Sequence, residues 1–187
     1  MRAGYFPELG VAEFRSDMPE PQIRYDKDVK IRIRKCGICG SEVHALHGMH
    51  PFRIPPVLSG HEFAGDVVEV GKGVTKFKPG DRVTGEPQYG CGECYYCRSG
   101  HENLCVASFV AHTHSGVMGA GGFAEYMLAK AQCLVKIPDD VDEAQACIVP
   151  CGGGVAYHAM VKRFQVGPED RVLILGVGGL GIQAIEM

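Results

Sequence analysis

The stretch Val29-Lys-Ile-Arg-Ile-Arg-Lys-Cys-Gly-Ile-Cys-Gly-Ser-Glu-Val-His44 changes pattern halfway along. Its first half alternates apolar and charged residues, the period-two signature of a half-buried strand. Its second half offers a thiolate (Cys39), a hydroxyl (Ser41), a carboxylate (Glu42) and an imidazole (His44) at or just past the strand end. Ser41 to Leu46 predicts a short helix, with Ser41 as its cap and Glu42 in its first turn. Some way on, Gly60-His61-Glu62 adds a second imidazole and carboxylate and runs straight into Phe63–Val70, another strand pattern. Thiolate and imidazole are the ligands zinc prefers, and a catalytic zinc takes three protein ligands and leaves one position open. A hydroxyl two residues from Cys39 is well placed to take a proton from an oxygen held at such an ion.

Working outward, Asp81–Thr84, Phe123–Leu128 and Cys133–Ile137 read as further short strands. They are separated by glycine and proline, of which the chain has 26 and 11. Residues 1 to about 140 therefore read as all-β, a sandwich or a barrel. The pattern changes after Pro138-Asp-Asp140. Val141–Ala146 suits a helical turn, and Gly154–Phe164 carries Val155, His158, Ala159 and Lys162 at helical spacing. Arg171-Val-Leu-Ile-Leu175 is a continuous apolar run of the kind found in buried parallel strands. Gly176-Val-Gly-Gly-Leu-Gly181 and the apolar start of a helix follow it. Such a strand has no partner before Met187, so the sequence is expected to stop inside a second domain.

The chain has 187 residues, 45% hydrophobic and 22% charged. That is an ordinary globular balance, enough for one domain or one plus part of another. A net charge of −3 leaves no basic excess to neutralise phosphates and argues against a nucleic-acid module. No apolar run is long enough to span a membrane. Met1-Arg-Ala-Gly-Tyr-Phe-Pro-Glu8 lacks the apolar core of a secretory signal. Nine cysteines, five of them in Cys-x-x-Cys spacings, then favour metal binding in a reducing, cytoplasmic setting over disulfides.

Cys91, Cys94, Cys97 and Cys105 form Cys-x2-Cys-x2-Cys-x7-Cys among Gly90, Gly92 and Gly100. Four thiolates on a tight loop close a tetrahedral shell and leave nothing open for substrate, which reads as structural zinc. Free thiols, a disulfide pair or an iron–sulfur cluster are the alternatives. Cys39 and His61 need a third ligand. Cys151, in Pro150-Cys-Gly-Gly-Gly154, is preferred; Glu62 competes, as ligand or as a carboxylate beside the metal. Gly176-x-Gly-x-x-Gly181 follows a strand pattern and opens a helix, the context of a dinucleotide phosphate turn. Gly176, Gly178, Gly179, Leu180 and Gly181 are its candidate cofactor-binding residues. The acidic residue that would hold the adenosine ribose lies further on than Met187, so NAD and NADP stay open. Cys133 and Cys147 read as core. His47, His50, His101, His112, His114 and His158 show no ligand spacing, although His112 and His114 could line a substrate pocket.

Together these motifs resemble the zinc-dependent alcohol dehydrogenases of the medium-chain dehydrogenase/reductase superfamily. The resemblance covers nearly the whole chain and rests on Cys39-Gly-Ser41-Glu-Val-His44, Gly60-His-Glu62, the four-cysteine lobe, Pro150-Cys-Gly152 and Gly176–Gly181, in that order. It implies a mainly β GroES-like catalytic domain, a partly open β-barrel, over residues 1–149. The truncated start of an α/β Rossmann domain follows over 150–187, with the active site in the cleft between them. It implies two zinc ions per chain, one catalytic on Cys39, His61 and Cys151 with Glu62 beside it, one structural on Cys91, Cys94, Cys97 and Cys105. The Cys2His set is that of alcohol dehydrogenase itself and is carried over from the family. Ser41 and His44 match the relay that takes the alcohol proton towards solvent. The activity implied is hydride transfer between an alcohol or polyol and NAD or NADP, the alkoxide held on the catalytic zinc. In full-length form the expected assembly is a homo-oligomer, and the 187 residues alone are expected not to turn over. Two departures stand out. Glu42 replaces the aspartate that many members use to support the zinc-site histidine, and Cys151 stands where polyol-type relatives often carry glutamate.

Two other classes compete with the enzyme: a non-catalytic binding module stabilised by zinc in its four-cysteine lobe, and a thiol redox protein using Cys36 and Cys39. The second requires a reactive, low-pKa thiolate.

Overall fold

A computed structural model describes residues 1–50, 53–86, 90–107 and 121–187. His112 and His114 therefore lie outside the described residues. The described fold is mainly β, with two open sheets. One has five strands in the order β7-β3-β5-β6-β8, formed by Tyr126–Lys130, Asp28–Gly37, Glu62–Val70, Arg82–Gly85 and Leu134–Lys136. The other orders Glu13–Arg15 (β2), Ala3–Phe6 (β1) and Val57–Leu58 (β4). Every pairing is antiparallel, as the short, turn-punctuated strands of the sequence demand.

The core lies under the larger sheet. Val29, Ile31, Phe63, Val67, Val83, Met127 and Leu134 are all at most 1% exposed and form one cluster with Phe77 and Ala129. The alternation in β3 is thus read correctly for Val29 and Ile31. Lys30 departs from it, being buried with its ammonium 2.5 Å from Glu20. Register shifts between Lys30 and Ile31 and between Ile33 and Lys35 bend this strand.

That register positions the site. β3 ends where β5 begins, so Gly37 pairs with Glu62 and Cys36 with Phe63. Residues just past one strand end and just before the other, Cys39 and His61, are thereby neighbours. The helix after β3 runs Gly40–Leu46 (α1), and its cap is Cys39 rather than Ser41. The reason is Glu42, whose carboxylate reaches back to accept from the Cys39 N–H (3.1 Å). This is the return half of a capping box and fixes the helix cap two residues earlier.

Past the sheet, Asp142 caps a helix over Glu143–Ile148 by accepting from the Ala144 N–H at 2.8 Å. Thr84 locks this helix onto β5, its hydroxyl lying 2.8 Å from the Phe63 carbonyl and 3.0 Å from that of Ala146. The helical path continues through a wide π-turn over Val149–Gly153, a regular turn over Gly154–Tyr157 and a second π-turn over His158–Arg163. The helix expected over 154–164 forms, but it is α-wound only over Gly154–Tyr157 and continues a helical path that starts earlier. Arg171–Leu175 forms no strand: Leu173 and Leu175 are 81% and 87% exposed. A strand is made by its ladder, and no described residue offers this run a partner. The glycine turn and its helix, Gly179–Glu186, do form.

Candidate functional site

Four donors from three separated segments converge at the β3–β5 end. The ligand atoms of Cys39, His61, Glu62 and Cys151 all lie within 4.8 Å of one another. His61 Nε2 is 3.5 Å from Cys151 Sγ. Zinc bond lengths in tetrahedral geometry separate a sulfur and a nitrogen by about 3.5 Å and two sulfurs by about 3.8 Å. The donor set therefore fits such an ion. Its electrostatics agree, because burial, then the nearby Cys39 and Glu62, push the Cys151 thiol above its ordinary value. Crowding two thiols and a carboxylate is costly unless a cation joins them.

The His61 ring is aimed by Glu42. Its Nδ1 lies 2.6 Å from Glu42 Oε1, which assigns the proton to Nδ1 and leaves the Nε2 lone pair facing the cysteines. Glu42 is 2% exposed. Burial alone would raise its pKa, but the His61 hydrogen bond, the Arg53 charge and the Ser59 hydroxyl outweigh it and hold the carboxyl below its usual value. The longer glutamate thus makes the contact the sequence left in doubt.

Ser41 is the second residue of α1 and His44 lies three further on, so both share one helix face. Ser41 Oγ accepts from Arg53 Nη1 at 3.0 Å, and His44 is exposed. Arg53 also donates to Glu42 Oε1 at 2.7 Å. Sequence reasoning missed Arg53 because it belongs to no motif. The available signal was a buried glutamate needing a cation from the loop between Ser41 and Gly60.

The four-cysteine lobe forms a second centre. Cys91, Cys94, Cys97 and Cys105 come together, with Sγ separations of 3.9 Å for Cys91–Cys97, 3.5 Å for Cys94–Cys97 and 3.9 Å for Cys94–Cys105. These are the spacings of sulfurs around one tetrahedral ion. No cysteine of the chain is in a disulfide. Cys36 packs against the main core, and burial pushes its thiol up to about 12, the opposite of what a redox thiol requires. Cys147 is core, as read, and Cys133 has its thiol pushed up to about 12 by burial.

At the glycine turn, Gly176 has φ +93°, and a Cβ on Gly181 would meet the Gly176 carbonyl oxygen at 2.0 Å. Only glycine permits both the left-handed turn and the close approach, as a phosphate turn requires. Its helix packs back on the segment carrying Cys151, where Gln183 lies against Gly152 and Gly153.

The chain matches the family described as "Alcohol dehydrogenase GroES-like domain" over residues 25–139. It is 40% identical over 172 residues to an alcohol dehydrogenase of Geobacillus stearothermophilus, covering 91% of this chain and 49% of that protein. It is 38% identical over 193 residues to a sorbitol dehydrogenase of Halalkalibacterium halodurans, covering 100% of this chain and 53% of the relative. The solved alcohol dehydrogenase TADH from Thermus sp. ATN1 superposes with a TM-score of 0.85 at 30% identity, covering 100% of this chain and 54% of that one. The chain thus spans about half the length of the curated relatives it matches. It belongs to the zinc-dependent alcohol dehydrogenase family of the medium-chain dehydrogenase/reductase superfamily.

Proposed function

We propose that these residues serve a cytoplasmic, NAD(P)-dependent alcohol or polyol dehydrogenase, a homo-oligomer with two zinc ions per chain. The observation that carries this reading is the convergence of Cys39, His61, Glu62 and Cys151 within 4.8 Å. A site of this kind, built by a strand register and a helix turn, is more than a folding staple needs. On this reading residues 1–149 form the GroES-like domain and 150–187 open the dinucleotide domain.

Cys39, His61 and Cys151 would hold the catalytic ion, with Glu62 as the alternative third ligand; Cys91, Cys94, Cys97 and Cys105 would hold the other. Zinc, when bound, would supply Lewis-acid polarisation of an alcohol oxygen, and a nicotinamide cofactor would supply the hydride acceptor. The chain's own residues do the rest. Glu42 keeps the His61 lone pair turned inward. Ser41 Oγ takes the alcohol proton and His44, exposed on the same helix face, passes it to solvent. Gly176, Gly178, Gly179, Leu180 and Gly181 turn the backbone so that N–H groups at the helix start meet the cofactor pyrophosphate.

Metal content of the chain, measured by elemental analysis for the parent, Cys39→Ser and Cys97→Ser, tests this. Two zincs, one lost with each substitution, are expected. Screening secondary alcohols and polyols with NAD and NADP on a protein of the relatives' full length should then give turnover that Cys39→Ser abolishes. A single zinc lost only with Cys97→Ser, and turnover indifferent to Cys39, would instead leave a zinc-stabilised binding module.

A further inference from the structure

Arg53 sits on the loop between α1 and β4, outside every motif, yet its side chain is only 11% exposed. One of its nitrogens, Nη1, donates to both Ser41 Oγ (3.0 Å) and Glu42 Oε1 (2.7 Å). Its backbone is anchored too, since the Arg53 N–H donates to His50 Nδ1 at 3.0 Å. Glu42 Oε1 is simultaneously 2.6 Å from His61 Nδ1 and 3.2 Å from Ser59 Oγ. A single guanidinium nitrogen therefore ties the hydroxyl proposed to take the proton to the carboxylate that aims the proposed ligand.

The physical need for it follows from side-chain freedom. Glutamate has one more rotatable bond than aspartate and loses more rotamer entropy when fixed. A serine hydroxyl on a helix has several staggered positions open to it. The Cys39 N–H holds Glu42 Oε2 (3.1 Å), but Oε1 and the Ser41 hydroxyl need a second clamp. Arg53 is the one cation besides the histidine that reaches Glu42 among the described residues. We propose that Arg53 is the positioning residue of this centre, fixing Ser41 and Glu42 against each other and, through Glu42, the His61 ring. This rests on the metal reading given above, and it explains how a chain with glutamate at position 42 keeps its histidine aligned.

The test is zinc release into a chromophoric chelator from the zinc-loaded chain. Cys39→Ser and Cys97→Ser assign the fast and slow phases to the two centres. Arg53→Met is expected to speed release from the Cys39–His61–Cys151 centre on the order of 10- to 100-fold, the usual cost of losing a partner behind a metal ligand. Release from the four-cysteine lobe should stay near that of the parent, while the melting temperature falls because the buried Glu42 carboxylate loses its cation. Arg53→Lys, whose ammonium can still bridge two oxygens, should restore most of the difference. An unchanged rate in Arg53→Met, equal acceleration of both phases, or no rescue by lysine overturns the inference while leaving the metal reading intact. A parent protein that shows only the lobe phase removes the metal reading and the inference with it.

Discussion

The four-cysteine lobe and the Cys39–His61–Cys151 centre use the same kinds of donor in opposite ways. The lobe is local. All its sulfurs come from Cys91 to Cys105, its described helical structure is one α-turn, Tyr95–Arg98, and one 3-10 turn, Glu102–Leu104, and Tyr95, Leu104 and Val106 are exposed. What holds it is the sulfurs: the N–H groups of Glu93 and Cys94 donate to Cys91 Sγ, and that of Cys91 to Cys105 Sγ. The other centre gathers residues far apart in sequence, and the sheet core holds them. The difference teaches which partner is structural. On the proposed reading a metal would hold the chain in the lobe, whereas at the β3–β5 end the chain would hold a place for a metal and could keep one position open for chemistry.

The largest expected effect comes from breaking that contrast directly. Binding at a closed structural zinc site is worth on the order of 10 kcal/mol of folding free energy in small zinc domains. Cys97→Ser should therefore remove hydrogen-exchange protection throughout residues 90–107, while strands Asp28–Gly37 and Glu62–Val70 keep theirs. Cys39→Ser should cost one zinc and no strand protection. Equal loss of protection in the two variants would erase the distinction.

Next in size is Phe63→Ala. Phe63 is fully buried in β5, next to Glu62 and two residues after His61. Truncation should cost about 3–5 kcal/mol, read from urea unfolding. If the sheet is what holds the dispersed centre, zinc release there should accelerate while release from the lobe does not change.

The same contrast governs what could be read from the sequence. The lobe was legible because its spacing contains its geometry. Cys39 and His61 were legible because a period-two strand ran into one and out of the other. Ser41 as cap was not, since the choice of Cys39 depends on a side chain, Glu42, curling back. Arg53 was invisible because its partners lie 11 and 12 residues away in sequence and its role exists only once Glu42 is buried. The strand read over Arg171–Leu175 fails for a different reason: apolar composition states a preference, but a strand needs a neighbour to pair with.

A smaller effect sharpens the ligand set. A Cβ on Gly37 would meet Glu62 Oε2 at 2.4 Å, so the carboxylate is packed beside the strand pairing as well as beside the thiols. If Cys151 is the third ligand, Cys151→Ser should lose the dispersed-site zinc and Glu62→Gln should weaken it by no more than about tenfold. The reverse order, measured by chelator competition, would make Glu62 the third ligand in place of Cys151.

The smallest effect needs no substitution. After chelation, iodoacetamide at pH 7.5 reports thiolate populations, because the thiolate is the nucleophile. On the reading above chelation opens the lobe, so its four thiols meet the reagent in water. Burial holds Cys36 and Cys133 up at about 12, far above the working pH, so both stay as thiols. Mass spectrometry of digests should find Cys91, Cys94, Cys97 and Cys105 alkylated first and Cys36 and Cys133 last, with denaturation abolishing the order. Early modification of Cys36 would mean its thiol is not held in the core, and would reopen the pairing of Cys36 with Cys39 as a redox couple.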